Sequence, residues 1–166
     1  MKIFKRTSLI IISSALILTS TVSARTFRDT RGHWAEASID FITDKKLMAG
    51  YQDGTFKPNE NMSRAEFYAT VNSLAGYDKT YTVTFSDVST SDWFYNDVAK
   101  GIKAGYIKPT TGRLNPNREI TREEVAEILG YVYSLSPREG STNEFGDRAR
   151  ISPSARGYVG ALVDAG

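Results

Sequence analysis

The chain has no cysteine and a single histidine, His33. Without thiols it can form neither a disulfide staple nor a thiolate metal site, and it cannot supply a cysteine nucleophile. With one imidazole, any hydrolytic triad would have to be built around that one position. Long apolar runs are also missing. The longest, Leu9 to Leu18, is interrupted by Ser13 and Ser14, and spanning a bilayer takes roughly 20 residues. Lys2, Lys5 and Arg6 precede that run and Val22-Ser23-Ala24 follows it. This pattern predicts an export leader over 1–24, a mature chain starting at Arg25, and no membrane insertion once the leader is gone. Charge of one sign is lacking too. The leader holds three of the 21 basic residues and none of the 19 acids, leaving 18 basic against 19 acidic groups. So balanced a chain carries no broad basic field, and no nucleic-acid partner is expected.

What the chain does have is repetition. Phe27-Arg28-Asp29, Trp34, Asp53-Gly54-Thr55-Phe56-Lys57-Pro58 and Ser63-Arg64-Ala65-Glu66 make a first unit. Phe85-Ser86-Asp87, Trp93, Thr111-Gly112-Arg113-Leu114-Asn115-Pro116 and Thr121-Arg122-Glu123-Glu124 make a second. Phe27 and Phe85 stand 58 residues apart, as do Arg64 and Arg122, and Phe145-Gly146-Asp147 opens a third unit 60 residues after Phe85. The units are read as 25–80, 81–140 and an incomplete 141–166, with Ser154 where the third tryptophan would stand. A regular repeat of this kind points to one structural unit packed against its own copies, the usual construction of a binding scaffold.

Each unit reads as helix, turn-rich loop, helix. Ala35, Ile39 and Ile42, with Trp34 and Phe41 alongside, recur at helical spacing, as do Tyr95, Val98, Ala99 and Ile102 behind Trp93. Tyr158, Ala161, Leu162 and Ala165 repeat the pattern in the third unit. Ser63-x-x-Glu66 and Thr121-x-x-Glu124 are capping boxes that mark the second helix of each pair. Apolar faces follow through Phe67, Val71, Leu74 and Ala75, and through Val125, Ile128, Leu129 and Val132. The expected fold is all-α, with helical pairs that cannot bury their faces alone and so pack around a common axis. Between the helices, Asp53-Gly54 and Thr111-Gly112 supply turn chemistry, and Pro58 and Pro116 delay the return to helix. Neither loop alternates carboxylates as a calcium loop does. No metal or cofactor is assigned.

These residues together resemble the S-layer homology domain, whose signatures are an opening Phe-x-Asp, a following tryptophan, a Gly-Tyr-x-Asp-Gly-x-Phe-x-Pro loop and a Thr-Arg-Ala-Glu helix start. The first unit matches nearly all of it, including Gly50-Tyr51-Gln52-Asp53-Gly54-Thr55-Phe56-Lys57-Pro58. The second matches through Phe85, Asp87, Trp93, Gly105-Tyr106-Ile107 and Thr121-Arg122-Glu123-Glu124, with a degenerate loop. The resemblance implies a pseudo-threefold helical bundle with grooves between neighbouring repeats. It also implies non-covalent attachment of an exported protein to the bacterial cell wall through a secondary wall polysaccharide, often bearing a pyruvate ketal. By motif match, Arg64 and Arg122 line those grooves.

The residue chemistry agrees. A cation in the first turn of a helix is mildly disfavoured by the helix dipole, so arginine placed there twice suggests an arriving anion shared with free backbone N–H groups. One guanidinium can grip a carboxylate through two parallel N–H bonds. Trp34, Trp93, Tyr51 and Tyr106 offer faces for sugar rings, although each tryptophan could equally be core. Gly50 and Gly54 would let the loop backbone approach a sugar, or simply turn the chain. Asp29 and Asp87 are expected to cap the first helix of each pair and hold the groove wall, with direct ligand contact secondary. His33, unrepeated where Asp92 precedes Trp93, reads as a solvent-exposed residue at a helix start. Other surface-layer proteins are possible partners, and a self-assembling structural module or the anchor of a longer exported enzyme is the alternative function.

Overall fold

The computed structural model describes residues 26–166, and the expected leader lies outside them. The described chain is all-α: α1 (Glu36–Asp44), α2 (Arg64–Ala75), α3 (Tyr95–Ala104), α4 (Arg122–Val132) and α5 (Pro153–Asp164), with two short 3-10 turns, Gly140–Thr142 and Arg148–Arg150. None of the described helices is long and apolar enough to cross a membrane.

The helices begin and end for local reasons. Both capping boxes form. Ser63 and Thr121 accept from the N–H of Glu66 and Glu124, whose carboxylates reach back to the cap backbone. Gly76 and Gly105 end α2 and α3 in the left-handed conformation, at φ 67° and 93°, where a Cβ would be strained. α1 and α3 have no side-chain cap. Asp29 and Asp87 therefore do not cap them, contrary to expectation; each instead clasps the following loop.

The core lies where α2, α3 and α4 meet. Ala65, Tyr68, Val71, Phe85, Phe94, Val98, Ile102, Ile107, Leu114 and Ile128 form one buried cluster. The helices pack between units: α2 on α3, and α4 on α5. α1 has no comparable helical neighbour. This explains why its expected apolar face is mostly uncovered, with Ile39 buried but Phe41 exposed. Leu74 is likewise exposed, and the buried face of α2 runs through Ala65, Tyr68, Val71 and Asn72. On α4 it runs through Ala126, Ile128 and Gly130.

Two packing devices depend on tertiary contact. Asn72, 2% exposed, donates to the Asp97 carbonyl and carboxylate at 3.0 Å each and accepts from the Tyr106 hydroxyl at 2.8 Å. One buried amide thus ties α2 to α3 and to the loop beyond. On α5 the inward face is small: Ala155, Gly157, Gly160 and Ala161 are buried. A Cβ on Gly160 would stand 1.7 Å from the Arg138 carbonyl oxygen, so the α4–α5 connection can cross the helix only over glycine.

Candidate functional site

The starts of α2 and α4 are held together by backbone. The N–H groups of Arg64 and Ala65 donate to the carbonyls of Arg118 and Pro116, both at 2.9 Å, and the Ile120 N–H donates to the Met62 carbonyl at 3.0 Å. Ser63 and Glu119 form an isolated antiparallel bridge. The tip of α2 is therefore filled by the lead-in to α4, and its first N–H groups are not available to an anion as the sequence suggested.

Arg64 lies in this junction. Its guanidinium donates to the Leu114 carbonyl, stands 3.6 Å from Glu124, and lies over the Tyr68 ring at 5.9 Å. Arg118 hydrogen-bonds the same Glu124 oxygen. Glu124 also closes its own capping box, accepting from the Thr121 N–H at 3.0 Å. One carboxylate is thus shared by two guanidiniums.

Beside it runs a groove of about 510 Å³ between α2, α4, the loop 106–114 and the start of α5. Arg64, Lys108 and Arg113 bring cations to its wall, Glu124 and Glu127 bring acids, and Tyr68, Tyr106, Tyr131 and Tyr158 bring rings. Arg113 is set by Asp87, whose carboxylate accepts from the N–H groups of Leu114 and Asn115 at 2.8 Å and lies 3.7 Å from the Arg113 guanidinium. Burial would raise the Asp87 pKa, but the backbone donors and the Arg113 charge together outweigh it and hold the carboxyl below its ordinary range. Asp29 makes the same clasp in the first unit, with Phe56 N–H at 2.9 Å and Lys57 N–H at 2.7 Å, and its pKa is lowered by the same balance.

Of the remaining expected residues, Tyr106 alone lines this groove. Arg122 is exposed, pairs with no described residue, and lines a second groove of about 930 Å³ between α4 and α5. Trp34 and Trp93 are 89% and 63% exposed, each against its neighbour, His33 or Phe94, and neither lines either of these two grooves. Tyr106 lines the first groove, but its hydroxyl is committed to Asn72, and burial raises its pKa. Tyr51 donates to Glu66 at 2.6 Å with Lys57 over its ring at 4.7 Å, and the Glu66 bond pushes its pKa up to about 12. Gly50, at φ 66°, is a packing position where a Cβ would meet the Phe27 ring at 2.2 Å, whereas Gly54 sits in an open turn. His33 lies before α1 and is half-buried. Its Nδ1 accepts from the Ala35 N–H, so Nε2 carries the proton and donates to Asn59.

Lys108, Arg113, Tyr131 and Tyr158 were missed as groove residues. Lys108 and Arg113 flank a loop the sequence marked only as degenerate, and the two tyrosines look like ordinary helical apolar positions.

The family model of the S-layer homology domain matches residues 26–67 and 84–126. Those two stretches hold both arginine-bearing helix starts and both aspartate clasps. The chain belongs to the S-layer homology domain family. Over 140 residues it is 34% identical to an amylopullulanase of Thermoanaerobacterium thermosulfurigenes, covering 81% of this chain and 8% of that protein. Over 135 residues it is 32% identical to a cellulosome-anchoring protein of Acetivibrio thermocellus, covering 75% of this chain and 30% of that protein. A surface-layer 125 kDa protein of Lysinibacillus sphaericus is 27% identical over 158 residues, 95% of this chain and 13% of that one. The chain spans about a tenth of the first relatives it matches, which share 8%, 13% and 9% of their lengths with it. Enzymes and structural surface proteins share this S-layer homology region, so what they have in common is the region itself.

Proposed function

We propose that this S-layer homology region is a non-covalent cell-wall anchor that binds an anionic, pyruvylated secondary wall polysaccharide in the groove between α2 and α4, outside the cell. We read it as a binding module with no catalytic role. The observation that carries the reading is the gathering of Arg64, Lys108 and Arg113 beside four tyrosines in one open groove. The cations suit a ketal carboxylate, and Arg113 keeps an exposed guanidinium fork for it. The rings of Tyr106, Tyr131 and Tyr158 suit the flat faces of sugars, while Tyr68 is buried beneath Arg64. Arg64, engaged with Leu114 and Glu124, contributes charge and shape to the groove floor. Family membership supports the reading, as does a relative whose own name describes anchoring. Repeats 25–80 and 81–140 would form this groove together, with 141–166 closing one end as the opening of a third.

The test is sedimentation with purified wall sacculi, before and after hydrofluoric acid strips the accessory polymer. The chain should pellet with untreated walls and stay in solution with stripped ones. Arg113→Ala together with Lys108→Ala, both at exposed positions, should abolish pelleting while leaving helical content intact. Equal retention on stripped walls would defeat the polysaccharide reading.

A further inference from the structure

We propose that Asn72, buried outside the polymer groove, is a positioning residue for it: through the Tyr106 hydroxyl it fixes that ring in the groove wall as a plate for a sugar face. This role rests on the polymer reading above and names the residue that presets the groove for its ligand.

Ala65, Tyr68 and Val71 share the buried face of α2 with Asn72, which is 2% exposed. A buried amide is tolerated only with its donors and acceptor met, whereas a leucine of the same branched shape would pack there without that demand. What the amide adds is direction. Its Nδ2 donates to the Asp97 carbonyl and carboxylate, both at 3.0 Å, which leaves Oδ1 to accept from the Tyr106 hydroxyl at 2.8 Å. Lys100, 3.5 Å from the Asp97 carboxylate, holds that acceptor in turn. The Tyr106 hydroxyl thus has one fixed acceptor, and the ring is aimed by it.

The ring is held on its other sides as well. Gly101 of α3 lies against it, where a Cβ would stand 2.7 Å from the Tyr106 Cζ and 2.8 Å from the hydroxyl oxygen. Tyr68 lies 6.0 Å away, and Tyr77 lies 6.4 Å away with 30° between the ring planes. Tyr106 stays half-buried and lines the groove, while Asn72, Gly101 and Tyr77 do not. Its polar end is committed to the α2–α3 interface and its ring is left to the groove. The motif counterpart in the first unit is tied differently: Tyr51 donates to Glu66 of its own unit at 2.6 Å, and Lys57 covers its ring at 4.7 Å. Of these two tyrosines, the one tied across units is the one that lines the groove. The tie has no repeat copy, since Gly130 stands 58 residues after Asn72.

The test uses the full chain and purified native wall sacculi, with the half-saturating sacculus concentration read by sedimentation and the urea midpoint read alongside. Asn72→Leu should weaken sedimentation about fivefold, the loss expected when one preset side chain is released. Tyr106→Phe, which keeps the ring and removes its tie, should weaken it by a similar factor. The double variant should bind no worse than either single one, because both changes cut the same tie. It should also regain much of the urea midpoint lost by Asn72→Leu, since no hydroxyl is left without an acceptor. Recovered stability with binding still weak separates positioning from packing. Should Asn72→Leu alone not fold, Tyr106→Phe and the double variant still carry the comparison. Binding that recovers along with stability, losses that multiply in the double variant, or variants that bind like wild type would each overturn the proposal alone. Wild-type chain that pellets equally with acid-stripped walls would overturn the polymer reading itself, and this role with it.

Discussion

At the scale of single residues, one side-chain type does different work at repeat-equivalent positions. Arg64 and Arg122 share a motif and a place on their helices, yet one is enclosed by a carbonyl, a carboxylate and a ring while the other is exposed and pairs with none of the described residues. Arg64→Ala should therefore lower stability as well as wall binding, whereas Arg122→Ala should leave the thermal midpoint nearly unchanged. Differential scanning calorimetry of both variants checks this; equal losses would contradict it. Asn72 gives a second expectation. Asn72→Ala removes a buried amide from two acceptors and a hydroxyl donor, a loss of about 2 kcal/mol that urea denaturation would register. Gly50→Ala combines a positive φ with a collision at the Phe27 ring and should destabilise by a similar or larger amount.

At the scale of elements, the helix starts matter more than the helices. Each capping box both begins a helix and builds a junction. Glu66 holds Ser63 and Tyr51, and Glu124 holds Thr121, Arg118 and Arg64. Thr121→Ala should cost about 1 kcal/mol through the cap alone, measured by urea midpoint. Glu124→Gln should cost more, because it leaves the guanidiniums of Arg64 and Arg118 without their shared carboxylate. The aspartate clasps work one level away from the groove. Asp87→Ala should reduce wall binding by releasing the loop that carries Arg113, while α3 persists in circular dichroism.

For the whole molecule, the titrating carboxylates set an acid limit. Asp29, Asp87, Glu66 and Glu123 all have pKa values lowered by hydrogen bonds made in the fold. Burial opposes the shift at the first three, and for Glu123 the Ser152 N–H and hydroxyl dominate. A carboxyl held lower in the folded state stabilises it above the ordinary values of 3.8 and 4.5. That contribution is lost as pH falls through the lowered folded values. The urea midpoint should accordingly hold steady above about pH 5 and fall steeply below pH 4. Glu123→Gln should flatten part of the fall by uncoupling α4 from the start of α5.

The sequence by itself determined the helical pairs, the capped starts of α2 and α4 and the repeat, because these depend on groups within a few residues of one another or on the regular spacing of the motifs. It also determined that Arg64 and Arg122 begin equivalent helices. Tertiary structure alone decided their fates, since the carbonyl and the carboxylate that engage Arg64 lie 50 residues and more further along the chain. The same holds for Asp29 and Asp87, legible as recurring acids but readable as loop clasps only once the amides 27 and 28 residues away are in place. Lys108, Arg113 and Tyr131 have no local signature as groove residues. Their meeting is a consequence of helices packing between units, and nothing in the spacing within one unit records it.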